Sequence, residues 1–304
     1  MSRFYDTLVA ASRLQPNTSG RSEANREVPP ADLRVTDVLE TWNVGAVAAV
    51  APVISEDPWA ISRDRDAQPE QFVVHRDCFG IPARQMLETK ALLLSTTDPP
   101  VREQYRRLRA KIIQLHSQKP FRTLVVTSPA SNEGKSITVL NLALTFAMLP
   151  AFRVLVIDGD LRRSNLSSWL RVADRPGLRN VIEGSATIND AILQWDHVPI
   201  SFVTSGNSDV PAAELLQSSR LSAAMRILAE RFALVLVDSP PVNLLADAQL
   251  LANACDAVLL VARAFSTKRN SLEKAAQDLR DSRVIGTILN GGSGTGWYRY
   301  GRKY

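Results

Sequence analysis

Short apolar runs alternate with longer helix-like segments through most of this 304-residue chain, and this alternation limits the fold more than any other feature. Strands are predicted over residues 123–127, 153–158, 200–204, 233–238, 257–261 and 284–289, with helices over 136–149, 219–231, 246–254 and 271–281. Strands that alternate with helices form parallel sheets covered on both faces, and such strands are apolar throughout. We therefore predict an α/β fold with a mostly parallel sheet, whose ligand lies at the carboxyl ends of the strands.

The first predicted strand is followed by SPASNEGKS, residues 128–136, and then by a helix. Such a turn points backbone N–H groups at one spot, and the helix N-terminus adds positive potential there. Lys135 can reach the β- and γ-phosphates of a nucleotide, and the Ser136 hydroxyl can bind Mg²⁺. Pro129 replaces the first glycine of G-x-x-x-x-G-K-[ST], so only the second half of that pattern matches, and the strand-to-helix position carries the interpretation. We predict a P-loop NTPase fold with these nucleotide-binding residues: Ser131, Asn132, Glu133, Gly134, Lys135, Ser136 and Ile137.

Acidic side chains follow two later strands. Asp158 and Asp160 alternate at the end of one strand, so both carboxylates can face one crevice, and Asp238 closes another apolar run. Aspartates also end strands as turn formers or helix caps, but here they stand downstream of a phosphate loop. One carboxylate near a triphosphate can hold Mg²⁺, and a second can orient or deprotonate an incoming hydroxyl. The predicted catalytic residues are Lys135, Asp158, Asp160 and Asp238, and the predicted magnesium ligands are Ser136, Asp158 and Asp238.

The first 85 residues differ in composition from the rest. They contain the turn-rich stretch PNTSGRSEANREVPP and no chemical motif, so we predict a poorly ordered N-terminal extension, with a partner-docking arm as the alternative. Residues 1–89 carry 9 Lys and Arg against 13 Asp and Glu, and the remainder carries 27 against 18. A basic region suits a nucleotide, an anionic membrane surface or nucleic acid. No nucleic-acid recognition motif accompanies the charge, so we predict no nucleic-acid partner.

Targeting signals are not recognised in the sequence. The longest apolar stretch, VGAVAAVAPVI, is short of the roughly 20 residues needed to span a bilayer, and the N-terminus has no apolar core typical of a secretory signal. The two cysteines stand far apart without metal-type spacing, which indicates a reducing compartment. We therefore predict a cytoplasmic protein.

The chain ends in WYRYGRKY, and three of its five tyrosines, Tyr298, Tyr300 and Tyr304, lie in the last seven residues. Aromatic side chains usually lie in cores or interfaces, so their concentration in a basic tail is unusual. The tail is either a disordered end without a role or a segment that enters a binding site. The sequence of the tail alone does not choose between these.

A second charged pattern precedes the phosphate loop. Glu103, Arg106 and Arg109 are spaced three apart in VREQYRRLRAKI, and on a helix they form one slanted polar stripe. Most such runs are solvated helix faces. The same stripe could pair with the opposite charges of a neighbouring subunit.

Taken together, the motifs resemble those of the bacterial tyrosine kinases, the family that includes the kinases of capsule and exopolysaccharide synthesis. TSPASNEGKS resembles the Walker A stretch of that family, VLVIDGDLRR its Walker A′ motif and LVLVDSPP its Walker B motif. EQYRRLR is similar to the family's E-x-x-R-x-x-R helix, and PAAELLQS, GTILN and the terminal tyrosines stand where the family has similar segments. The resemblance covers about residues 86–304, with a kinase domain over 86–296 and a tail over 297–304.

The resemblance implies an ATP-dependent protein-tyrosine autokinase that regulates polysaccharide synthesis and export. Lys135 and Ser136 would bind the ATP phosphates and Mg²⁺, and the three aspartates would organise the metal and the acceptor phenol. The cluster of Tyr298, Tyr300 and Tyr304 would be phosphorylated by a neighbouring subunit.

The same resemblance implies a homo-oligomeric ring, assembled through the helix that carries Glu103, Arg106 and Arg109. The implied activator is a membrane-anchored polysaccharide co-polymerase, whose cytoplasmic tail would hold the kinase at the inner face of the plasma membrane. Each phosphate adds about −1.5 to −2 charges, so phosphorylation would reverse the sign of the tail and loosen the ring.

Several departures leave alternatives open. Ser131-Asn132 replaces a common Pro-Gly, so a positive φ would have to fall on another residue, and Asn132 is among the better candidates. Ser164 also stands where proline is common. The alternatives are a P-loop ATPase that dimerises around ATP and a non-catalytic nucleotide-binding regulator of polysaccharide assembly. The first usually carries a second lysine in the loop, and residues 128–133 have none.

Overall fold

One eight-stranded sheet organises the part of the chain that the computed structural model describes, which is residues 80–81, 99–170, 172, 175–195 and 200–292. Its strands are β1 (Gly80–Ile81), β2 (Thr123–Thr127), β3 (Val154–Asp158), β4 (Ile192–Trp195), β5 (Ile200–Val203), β6 (Leu234–Asp238), β7 (Ala257–Arg263) and β8 (Val284–Asn290). Their order across the sheet is β1-β4-β5-β3-β6-β2-β7-β8. All neighbouring strands pair in parallel except β4 and β5, which are antiparallel.

Nine helices accompany the sheet in the described ranges. They are α1 (Pro99–Gln118), α2 (Lys135–Ala147), α3 (Asn165–Trp169), α4 (Leu178–Glu183), α5 (Ile188–Ala191), α6 (Ala212–Gln217), α7 (Ser219–Arg231), α8 (Asp247–Asn253) and α9 (Arg269–Asp278). None of the helices in these ranges is both long and apolar enough to cross a membrane.

Helix α2 and the central strands form the core. Every residue of β2, β3 and β6 is buried, and α2 is buried along most of its length against β2, β3 and β6 on one side and α1 on the other. Phe146 of α2 stacks on Phe152 with ring centroids 5.1 Å apart. The burial of a large apolar side chain contributes about 1.5–3 kcal/mol, so this layer stabilises the sheet that presents the site.

The predicted α/β fold with a mostly parallel sheet is confirmed. The limits predicted for β2 and α7 match the structure, and the other predicted elements are displaced at their ends by one to three residues. The antiparallel strand β4 and the short helices α3 to α6 were missed, because elements of four to six residues are too short to show a periodicity. Most of residues 1–85 and all of the tail lie outside the described residues, so the boundaries near 86 and 297 stay predictions.

The strand register brings the site together. Asp158 in β3 is the direct neighbour of Asp238 in β6, and Asp238 pairs in turn with Val126 in β2. Just beyond β3, the backbone N–H of Gly159 donates to the Asp238 carbonyl at 2.8 Å. The three strands that precede the phosphate loop and the aspartates therefore end at one edge of the sheet.

Gly159→Ala should lower the free energy of unfolding by about 1–3 kcal/mol, the usual cost of overpacking. A Cβ on this residue would stand 2.6 Å from the Asp238 carbonyl oxygen and 2.9 Å from a methyl group of Val237, so the backbone would have to move. Urea denaturation measures the change. Gly286→Ala is the matched control, because a Cβ there meets no atom within 4 Å. Equal unfolding free energies for the two variants would contradict the tight approach at Gly159.

Candidate active site

The loop between β2 and α2, residues 128–134, has the shape of a phosphate-binding turn. Two of its residues have left-handed backbone conformations, Asn132 with φ 62° and Gly134 with φ 98°. The positive φ of Asn132 confirms the prediction for this residue. Asparagine tolerates this conformation better than most other side chains do. Lys135, Ser136 and Ile137 form the first turn of α2, where backbone N–H groups are free for an anion.

The Glu133 side chain is part of the loop's own scaffold. It is buried, and its carboxylate accepts hydrogen bonds from the backbone N–H of Ala130 at 3.1 Å and from the Thr267 hydroxyl. These hydrogen bonds hold the carboxylate against the backbone of its own loop and against Thr267. The predicted contact of Glu133 with nucleotide is therefore left to its backbone N–H.

Residues from two later strands also hold the loop, and sequence reasoning did not find them. Arg263, the last residue of β7, donates to the Asn132 carbonyl at 3.0 Å. Asn290, the last residue of β8, donates to the Glu133 carbonyl at 2.9 Å. Both follow the rule that polar residues at strand ends meet at one edge, which was applied to the aspartates but not to these strands.

Lys135 and Ser136 face the acidic side of the site. The Ser136 hydroxyl donates to Asp238 Oδ2 at 2.5 Å, although the two residues are 102 positions apart in the chain. Burial lowers the pKa of Lys135, and the charges of Asp238, Asp160 and Glu133 act in the opposite direction. The serine and aspartate predicted to share a magnesium ion are therefore direct neighbours.

The three predicted aspartates lie at the same edge and are all buried. Asp158 Oδ2 accepts two hydrogen bonds from Ser167, from its N–H at 2.8 Å and its hydroxyl at 2.7 Å. Asp160 Oδ1 accepts from the backbone N–H of Arg163 at 3.2 Å. Ser167 was missed by the sequence reasoning, because it lies on a short helix that has no periodicity to mark it.

Burial disfavours the charge on two of these carboxylates. The pKa of Asp238 rises to about 7, mainly through desolvation and next through the charge of Asp158, against the hydrogen bond from Ser136. The pKa of Asp158 rises to about 6, again mainly through desolvation, against the hydrogen bonds from Ser167. A cation beside these groups would favour their ionised forms.

The donor set suits Mg²⁺ bound together with phosphate. Asp158 Oδ1 and Asp238 Oδ1 are buried oxygens without a hydrogen-bond partner, and the Ser136 hydroxyl lies beside them. In the described ranges, no three His, Cys, Asp or Glu side chains are grouped closely enough to enclose a metal alone. Mg²⁺ commonly takes one or two carboxylates and completes its shell with water and substrate phosphates, so these residues fit it.

The three residues of the predicted stripe on α1 have different surroundings in the structure. Glu103 and Arg106 are exposed and lie 3.9 Å apart, and Arg107 also pairs with Glu103. Arg109 is half-buried, and its guanidinium donates to the Thr145 carbonyl of α2 in the same chain. Glu103 and Arg106 are thus available to a neighbouring subunit, whereas Arg109 already fastens α1 to α2. The tyrosines predicted as phosphate acceptors lie outside the described residues.

A phosphate loop between a strand and a buried helix, with aspartates at the ends of two adjoining parallel strands, defines a P-loop nucleotide-binding domain. Residues 124–295 match the family model of the CobQ/CobB/MinD/ParA nucleotide binding domain, which is more than half of the chain. Within that class, the curated relatives that this chain resembles are tyrosine-protein kinases.

Relatives and solved structures support this assignment. The chain is 34% identical over 177 residues to tyrosine-protein kinase CpsD of Streptococcus agalactiae serotype III, which covers 57% of this chain and 76% of the relative. It is 31% identical over 191 residues to tyrosine-protein kinase YwqD of Bacillus subtilis, covering 62% and 80%. The kinase domain of Escherichia coli tyrosine kinase ETK superposes with a TM-score of 0.62 at 26% identity, covering 66% and 79%. The chain therefore belongs to the bacterial tyrosine kinases, and the prediction of a protein-tyrosine kinase is confirmed.

Asp238→Asn should raise the thermal stability of the nucleotide-free protein at pH 8, because it removes a buried carboxylate. The pKa of Asp238 is raised from 3.8 to about 7, so the stability that its protonated form contributes is present below about pH 4 and is lost as the pH rises through 7. Thermal denaturation should therefore show a larger gain at pH 8 than at pH 5. The control Asp209→Asn changes an exposed residue and should give no such gain. Equal gains for Asp238→Asn at both pH values would contradict this account.

Proposed function

We propose that the protein transfers the γ-phosphoryl group of ATP to Tyr298, Tyr300 and Tyr304 of a neighbouring copy, and so regulates the synthesis and export of a capsular or extracellular polysaccharide. The observation that carries the proposal is the hydrogen bond from Ser136 to Asp238 beside two buried carboxylate oxygens without partners. This arrangement provides ligands for the Mg²⁺ of Mg·ATP at the mouth of a phosphate loop.

Each residue has a distinct task in this mechanism. The backbone N–H groups of the loop and Lys135 would bind the β- and γ-phosphates, and Ser136, Asp158 and Asp238 would hold Mg²⁺ directly or through water. When bound, Mg²⁺ neutralises charge on the phosphate oxygens. Asp160 stands beyond the end of β3 and would orient the acceptor phenol and take its proton.

The transfer is balanced by one bond made and one bond broken. The phenol oxygen forms a bond to the γ-phosphorus, the bond from that phosphorus to the bridging oxygen breaks, and ADP leaves with the electron pair. The phenol proton passes to Asp160. No glutamate follows Asp238 to activate water, which is compatible with an acceptor other than water.

The charge of the tail favours its entry into this site. Arg299, Arg302 and Lys303 stand between or beside the tyrosines, and the receiving edge carries three aspartates. Each phosphate adds about −1.5 to −2 charges, so a phosphorylated tail is repelled by the same carboxylates. The proposal therefore includes release of the tail, and loosening of a ring of copies, as phosphate accumulates.

The proposal extends to partners and location. A ring would form through the exposed part of the α1 stripe, Glu103 and Arg106. A membrane-anchored polysaccharide co-polymerase would act as the activator and hold the kinase at the inner face of the plasma membrane. Both statements rest on the family resemblance, and the exposed charges on α1 support the first of them.

Transfer between copies is tested by mixing two variants that are each unable to label themselves. Lys135→Met keeps the tyrosines but loses phosphate binding, and the triple variant Tyr298→Phe, Tyr300→Phe and Tyr304→Phe keeps the site but loses the acceptors. Incubated with ATP and Mg²⁺, the mixture should carry phosphate on the last seven residues of the Lys135→Met chain, as measured by mass spectrometry.

Each variant alone is the control and should remain unlabelled. The experiment is repeated with the activator's cytoplasmic tail fused to the kinase, so that weak basal activity does not hide the reaction. Free phosphate with an unlabelled tail would contradict the proposal and favour a P-loop ATPase. The absence of both products in the fused protein would favour a non-catalytic regulator.

Assembly is tested on α1. Arg106→Ala should reduce the mass of the oligomer in light scattering, because an exposed charge of the stripe is lost while the chain's own packing is kept. Lys111→Ala is the matched control, since Lys111 is also an exposed cation of α1 but lies outside the stripe. Arg109→Ala is a less selective probe, because Arg109 donates to the Thr145 carbonyl. An unchanged oligomer mass for Arg106→Ala would show that the stripe is not part of the subunit interface.

A further inference from the structure

The two adjacent arginines that follow Asp160 have different surroundings. Arg162 forms two hydrogen bonds with Asp247, with Nε at 2.7 Å from Oδ2 and Nη2 at 3.2 Å from Oδ1. The Asp247 side chain is only 3% exposed and stands at the start of α8. Arg162 therefore neutralises a buried carboxylate and fastens the segment after β3 to α8.

Arg163 points instead to the phosphate loop. Its Nη1 donates to the Ser131 hydroxyl at 3.3 Å, and its side chain is exposed. No carboxylate of the described ranges forms an ion pair with its guanidinium. A long hydrogen bond to a neutral hydroxyl is a weak use of a guanidinium, which binds best to two oxygens of a carboxylate or phosphate.

The charge of Arg163 adds to that of Lys135. Lys135 lies in the first turn of α2, and Arg163 reaches the same phosphate loop through Ser131. Both cations flank a loop whose N–H groups and helix terminus already create a positive potential. The guanidinium of Arg163 therefore adds a second cationic side chain at the loop, which a polyphosphate could contact together with Lys135.

We propose that Arg163 is a catalytic residue that binds the terminal phosphoryl group of the nucleotide from the Ser131 side of the loop, opposite Lys135. The inference rests on the proposed phosphoryl transfer and assigns Arg163 a role within it. The guanidinium exchanges its hydrogen bond to Ser131 for oxygens of the γ-phosphate, and it stabilises the charge on those oxygens during transfer. Arg162 is by contrast a positioning residue for the same segment.

This assignment makes Arg163 a sensor of the third phosphate. ADP has no group at that position, so removal of the guanidinium should weaken the binding of ATP and spare that of ADP. Lysine keeps the charge but loses the planar fork, so Arg163→Lys should give an intermediate result. The neighbouring Arg162→Ala should affect both nucleotides alike, because it loosens the segment and leaves Asp247 buried without its partner.

Calorimetry with Mg·ATP and Mg·ADP tests the binding role. For Arg163→Ala we expect about tenfold weaker binding of ATP, the effect of one charge-assisted hydrogen bond, with ADP within about twofold of the wild type. Single-turnover labelling of the tail should slow by about 10²-fold at saturating ATP, comparable to the loss of one preorganised donor. Arg162→Ala should lower the melting temperature more than Arg163→Ala does.

The outcomes separate this inference from the proposed function. Equal losses for ATP and ADP in Arg163→Ala, or no loss for either, would overturn the role of Arg163, and so would tail labelling at the wild-type rate. The calorimetry needs no acceptor tyrosine. If Arg163→Ala selectively loses ATP while the wild-type tail stays unlabelled, the γ-phosphate contact stands and the transfer to the tail fails.

Discussion

The pairing of β3 with β6 is the constraint on which the candidate site depends. It places Asp158 and Asp238 side by side, and β2 on the far side of β6 delivers the phosphate loop to the same edge. Burial raises the pKa of both carboxyl groups, so their ionised forms need a nearby cation. The sheet therefore holds a destabilised acidic pair at the position where a metal and a triphosphate relieve it. Such local instability is typical of sites built for function.

The phosphate loop shows how an unusual sequence keeps a common shape. Asn132 and Gly134 take left-handed conformations, and hydrogen bonds from Arg263 and Asn290 hold the loop backbone between them. Strained backbone persists only where surrounding contacts fix it, and here these come from the ends of β7 and β8. The far half of the sheet thus helps to set the loop geometry, although neither Arg263 nor Asn290 belongs to the phosphate-loop motif itself. At the same edge, two adjacent arginines have different partners: Arg162 pairs with the buried Asp247, and Arg163 contacts Ser131 of the phosphate loop.

Much of the fold and part of the site could be predicted from local patterns. Apolar runs with fixed limits gave the central strands, and the positions of Lys135, Ser136 and the aspartates at strand ends indicated one shared edge. The missed residues are those whose contacts depend on how the chain packs in three dimensions, whether the partner is near or distant in sequence. Ser167 reaches Asp158 from a five-residue helix, and Thr267 reaches Glu133 across 134 positions. No local pattern predicts such a contact, because a serine or threonine that contacts a site carboxylate looks the same in the sequence as any other serine or threonine.

The sequence by itself determined the class of fold, the phosphate loop and the edge at which the acidic groups gather. These features follow from the spacing of apolar residues and from the polar residues at strand ends, and both can be recognised within short segments of sequence. Tertiary structure alone decided what each polar group faces. It placed Glu133 inside the loop scaffold, turned Arg109 toward α2, and separated Arg162, paired with Asp247, from Arg163 beside Ser131. The reason is physical: a side chain's role depends on its burial and its partners, and these are set only when distant strands and helices pack together.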